Sequence, residues 1–125
     1  MPEDRLTLAG TIPPETAALL VYATFPSEAE ALRLGRALVE MRLAGCVNVV
    51  PVMTSIYVWE GVTETSKEAV LIAKMPAAAA PRAMAFIKAN HPYETPAILA
   101  LPVVLGSSDY LSWLALGTAD AGPTG

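Results

Sequence analysis

Between Met53 and Glu60 the side chains alternate between the two faces of an extended chain. Met53, Ser55, Tyr57 and Trp59 fall on one face, and Thr54, Ile56, Val58 and Glu60 on the other. Both faces carry apolar groups, so the segment 44–61 (AGCVNVVPVMTSIYVWEG) has two sides to cover. The following stretch, 62–75, is polar through Lys67 and apolar from Ala69 to Ala73. That change predicts a hairpin with its tip in water and its base in the core. A lone two-stranded ribbon is marginal in water, so the chain's own helices must cover one face and a second copy the other.

The remaining elements are placed around this hairpin. ALLVYATF, 18–25, is a short apolar run stopped by Pro26, which predicts a buried first strand. Ser27 stands three residues before Glu30, the spacing of a capping box that opens a helix. In that helix Ala31, Leu34 and Leu38 form one stripe, with Leu32, Val39 and Leu43 beside it and Arg33, Arg36 and Glu40 outside. Gly45 is positioned to end it. Pro81 suits the first turn of a second helix, which turns Met84 and Ile87, or Ala83, Phe86 and Ile87, inward and ends near Asn90. The loop HPYETP, 91–96, leads to a last strand over 97–104, and Ser107 or Ser108 caps a short third helix over 109–116. The order β-α-β-β-α-β plus a C-terminal helix predicts an α+β, ferredoxin-like fold: a four-stranded antiparallel sheet with helices on one face. One domain over 18–118 is expected, flanked by a flexible proline-bearing arm over 1–17 and a flexible tail over 119–125.

Composition narrows the partners. A net charge of −4, an isoelectric point near 4.8 and eight scattered basic residues argue against nucleic acid and anionic membranes. A hydrophobic content of 54% and a mean hydropathy of +0.46 suit a chain with a buried subunit interface. No apolar run reaches the roughly 18 residues of a membrane helix, and no signal peptide is recognisable. The single cysteine excludes an internal disulfide, so a reduced, cytoplasmic protein is expected.

Few residues offer chemistry. There is one histidine, no Cys-x-x-Cys and no glycine-rich phosphate loop. Cys46, inside a predicted strand, reads as a buried packing residue. His91 follows a helix end in a loop with Tyr93 and Glu94. It serves either as a helix-end residue or as a ligand, with Glu94 as a carboxylate partner. Glu60, Glu64 and Glu68 recur along one hairpin as a solvated face. Trp59 and Trp113 read as packing or interface residues.

The runs LAGCVNVVP and TSIYVWEG within 43–61, the loop HPYETP and the ending YLSWL at 110–114 resemble the CutA family of divalent-cation tolerance proteins. The match covers about 19–116. It implies a homotrimer joined through the long hairpins, with Tyr57 and Trp59 at the interface, and no enzymatic reaction. It also implies a role in tolerance of copper(II) or another divalent cation. His91, Cys46 and Glu68 match family positions, and with Glu94 they form the expected metal-ligand set. Ala97 stands where the family commonly has glutamate, Ala23 where some members have cysteine, and Met75 where threonine is frequent. The expected function is weak divalent-cation binding by a homotrimer, with no cofactor required. The alternative is a regulatory trimer similar to PII proteins, binding a small anion or nucleotide in intersubunit clefts near Lys74, Arg82 and Lys88.

Overall fold

The computed structural model describes residues 6–118. Four strands, β1 (Ala18–Phe25), β2 (Cys46–Trp59), β3 (Val62–Pro76) and β4 (Ile98–Pro102), form one sheet in the order β2-β3-β1-β4. Every neighbouring pair is antiparallel. Helices α1 (Glu28–Glu40) and α2 (Ala80–Asn90) follow β1 and β3, and α3 (Ser108–Leu116) closes the chain. No described helix is long and apolar enough to cross a membrane.

The two-residue period of the strands decides where the core lies. Leu19, Val21, Ala23 and Phe25 of β1 join Ala69, Leu71, Ala73 and Met75 of β3 beneath the helices. Burying a side chain such as Phe25 or Leu71 stabilises the fold by about 1.5–3 kcal/mol. Among the described residues the opposite face is open along β4 and at Val50 of β2: Leu99 is 59% exposed and Leu101 47%, with Val50 also exposed. Beyond this sheet β2 and β3 run on as a two-stranded arm to the turn Glu60-Gly61. Both turn residues have positive φ, 51° and 81°, the two-residue turn whose twist matches a hairpin. Along β2 the partner steps from Val50↔Val70 to Met53↔Glu68, so one extra residue forms a bulge at Pro51-Val52. Proline cannot donate to a ladder, which accounts for the bend there.

Several helix details differ from expectation. Ser27 caps α1 by accepting the Glu30 N–H at 3.3 Å, but the Glu30 carboxylate faces Arg33 Nη2 at 2.7 Å instead of reaching back to Ser27. The buried stripe is Ala31, Leu34, Gly35 and Leu38, while Leu32 and Val39 are exposed at 46% and 38%. Gly35 explains the rotation: a Cβ there would sit 3.1 Å from Leu71 and 3.2 Å from Val47, so its bare backbone lets the helix approach the sheet. The helix stop is Arg42, not Gly45. Arg42 has φ 61°, its N–H donates to Val39 O at 2.9 Å, and Leu43 N–H donates to Leu38 O at 2.9 Å. This is a Schellman ending without glycine. Gly45 is required by packing, since a Cβ would lie 2.7 Å from Leu114 Cδ1.

In α2, Pro81 occupies the first turn and Ala83, Met84 and Ile87 are buried, with Phe86 partly so. Ser107 is the residue that caps α3, accepting Tyr110 N–H at 3.4 Å. β4 is shorter than the expected 97–104 because Pro96 and Pro102 remove donors at its ends. Of the arm, residues 6–17 form no helix or strand, yet Leu6 packs against the core. Residues 1–5 of the arm and the tail 119–125 lie outside the described residues.

Candidate functional site

The end of α2 delivers His91 to the end of β1. The last helical turn places Lys88 over the following loop, where its Nζ donates to Glu94 O at 2.6 Å. His91 has an extended backbone (φ −85°, ψ 142°), as a residue before proline must, and so swings its ring back over the sheet. The ring stacks on Phe25 with centroids 4.3 Å apart and meets Tyr93 at 5.0 Å. Both ring nitrogens are engaged. Nδ1 accepts the Tyr93 backbone N–H at 3.0 Å, and Nε2 lies 2.7 Å from Thr24 O. A carbonyl can only accept, so Nε2 carries the hydrogen and Nδ1 the lone pair: the ring is neutral with its tautomer fixed. Burial lowers the His91 pKa, and Lys88 adds to this. The Thr24 bond, Glu30 and Glu68 oppose it without reversing it.

Tyr93 extends the network across the sheet edge. Its hydroxyl donates to Glu68 Oε2 at 3.1 Å, and Ser55 Oγ donates to Glu68 Oε1 at 2.6 Å. Burial, and then the bond to Glu68, push the Tyr93 pKa up to about 12, so the phenol remains a donor. A continuous polar chain thus runs from Thr24 of β1 through His91 and Tyr93 to Glu68 of β3 and Ser55 of β2. Tyr93, Thr24 and Ser55 are the members that sequence patterns did not single out. The pairing of β2 with β3 and the two-residue offset of Tyr93 from His91 were their only traces.

The expected ligand set is only partly brought together. His91 and Glu68 are joined through Tyr93. Glu94, the residue after Tyr93, is exposed, and among the described residues its carboxylate makes no hydrogen bond. Cys46 is elsewhere: it lies opposite Lys74, six residues along β3 from Glu68, or about 20 Å. It is also half-buried rather than buried, on the face of β2 opposite Val47, which packs against the core. Among the described residues no three His, Cys, Asp or Glu side chains converge on a point. The described residues of one chain therefore do not close a coordination sphere. The lysines expected near a cleft are committed to different elements, Lys74 lying 5.7 Å from the Tyr110 ring centroid and Lys88 reaching the 91–96 loop. That removes the support for a basic anion cleft within one chain.

Fold and site together define a small α+β protein with a bare sheet face and a polar chain pinned at its rim. The family model for CutA1 divalent ion tolerance protein matches residues 19–116. The chain belongs to this CutA1 family. It is 46% identical over 95 residues to the divalent-cation tolerance protein CutA of Thermus thermophilus, covering 76% of this chain and 92% of that one. It is 39% identical over 106 residues to Protein CutA of Mus musculus, covering 85% of this chain and 59% of that longer one. The crystal structure of divalent ion tolerance protein CutA1 from Ehrlichia chaffeensis superimposes with a TM-score of 0.80 at 31% identity, over 84% of this chain and 98% of that one.

Proposed function

We propose that this protein serves divalent-cation tolerance in the cytoplasm as a ferredoxin-like homotrimer, binding copper(II) or another divalent cation weakly and catalysing no reaction. The observation that carries this reading is the uncovered apolar surface. Leu99, Leu101 and Val50 on the sheet, and Tyr57 and Trp59 on the hairpin, are exposed in a single chain, Trp59 by 63%. Leaving these large apolar side chains in water is unfavourable, and association of copies would remove them from it. Membership of the CutA1 divalent ion tolerance family supplies the link to divalent ions.

Weak binding follows from the state of His91. Its Nδ1 carries the lone pair a cation needs, and Nε2–H donating to Thr24 O is the arrangement that orients a ligating imidazole. The Tyr93 N–H must first leave Nδ1, at a cost of about 1–3 kcal/mol if it finds no new acceptor. Glu94 is the nearest uncommitted carboxylate in sequence, and water or another chain would supply the rest. Glu68 would act through Tyr93, and Cys46 would lie apart. Copper(II) calorimetry on wild type, His91→Ala and Cys46→Ser tests this. Cys46→Ser should leave the isotherm nearly unchanged, whereas His91→Ala should remove most of the heat. An unaltered isotherm for His91→Ala would remove His91 from metal binding and leave it a structural helix-end residue.

A further inference from the structure

Beyond the polar chain lies a further region on the far side of β1, which shares only Leu99 with the bare-face residues named above. There residues 6–13 of the N-terminal arm pass β4 and the first turns of α2 without joining the sheet. A cavity of about 550 Å³ lies between them, within the range of small-molecule sites. Leu8 and Ile12 of the arm line it together with Met84 of α2 and Ile98 and Ala100 of β4. None of the described residues lining it is ionisable. An ion placed there would lose hydration without gaining a counter-charge, so the lining selects against charged occupants.

The polar groups it offers are few and neutral. The hydroxyls of Thr7 and Thr11, on its arm side, make no hydrogen bond among the described residues. β4 is an edge strand, with β1 on one side and, among the described residues, no strand on the other. Its outer backbone edge is therefore free of ladder partners. We propose that the cleft between the arm and the β4–α2 side of the core binds a neutral, mostly apolar small molecule carrying at most a hydroxyl or carbonyl. Leu8, Ile12 and Met84 would cover its apolar body, and a threonine hydroxyl would meet its polar group. The site shares no residue with the His91 network and does not depend on cation binding.

The test uses the neutral dye N-phenylnaphthylamine and its anionic relative anilinonaphthalene sulfonate, followed by fluorescence on the full chain. The neutral dye should bind saturably at one per chain, about tenfold or more tighter than the anion, equivalent to about 1.4 kcal/mol. Ala100 aligns with Val21 on the helix-covered side of the sheet, so Ala100→Trp fills the cleft without altering the open face. Ala100→Trp should weaken the neutral dye at least about tenfold, and Ala100→Ser should leave it within about twofold. Leu8→Asp, in the irregular arm, provides the same test should the tryptophan disturb β4, with circular dichroism confirming the fold. Equal affinity for the two dyes, or unchanged binding in a folded Leu8→Asp or Ala100→Trp protein, would overturn the proposal.

Discussion

Replacing His91 with alanine should destabilise the protein through three identifiable losses. The Thr24 carbonyl loses its 2.7 Å donor and the Tyr93 N–H loses its 3.0 Å acceptor. Each hydrogen bond contributes about 1 kcal/mol net. The ring also leaves Phe25, against which it stacks at 4.3 Å, a contact contributing about 0.5–1.5 kcal/mol. The sum is about 2–4 kcal/mol. The loop is at the rim, where water can reach some orphaned groups, so about 2–3 kcal/mol is expected. Urea unfolding of both proteins at one fixed concentration measures it, because the proposed self-association would make apparent stability concentration-dependent.

The pH dependence adds a sign. His91 has a lower pKa folded than unfolded, chiefly from burial. The unfolded chain therefore binds more protons in the window just below the ordinary value of about 6.5. Stability from this group is complete above that value and is lost as pH falls through the folded pKa. The structural cause is direct: protonated Nδ1 would point a hydrogen at the Tyr93 N–H. His91→Ala should therefore flatten the acid limb of the stability profile. A loss under about 0.5 kcal/mol, with an unchanged acid limb, would refute the network as a source of stability.

Two further substitutions probe the packing. Gly45→Ala should cost about 1–3 kcal/mol in thermal or urea unfolding, because its Cβ would meet Leu114 Cδ1 at 2.7 Å and force α3 away; unchanged stability would show that α3 shifts freely. Trp59→Ala should weaken assembly by about 3–5 kcal/mol if the ring is buried between subunits, read as a rise in the dissociation constant by sedimentation; an unchanged constant would place Trp59 in water even in the assembly.

Much of the fold was legible because its signals are local. The alternation from Met53 to Trp59, Pro26 after β1, Ser27 and Pro81 at helix starts and Gly61 at the turn each constrain the backbone through one or two residues. The misplacements came from contacts between elements. Nothing within α1 marks Gly35 as the point of closest approach to Leu71 and Val47, so Leu32 and Val39 looked as well suited to the core. Arg42 adopts a conformation usually held by glycine, and its guanidinium donates to Leu116 O at 3.1 Å, a link to α3 from far along the chain. At the candidate site His91 stood out as the single histidine, but its engagement with Thr24 depends on how α2 meets β1. The link from Tyr93 to Glu68 likewise exists only once β3 is paired.

Burial of the bare face of this sheet between copies of the chain is the claim on which the rest depends. Sedimentation equilibrium at micromolar concentration tests it most directly. The proposed homotrimer predicts a single species of about 39 kDa, three chains of 13.1 kDa each, and Leu99→Asp with Leu101→Asp should shift it toward the monomer. A wild-type protein that sediments as a 13.1 kDa monomer would contradict the account.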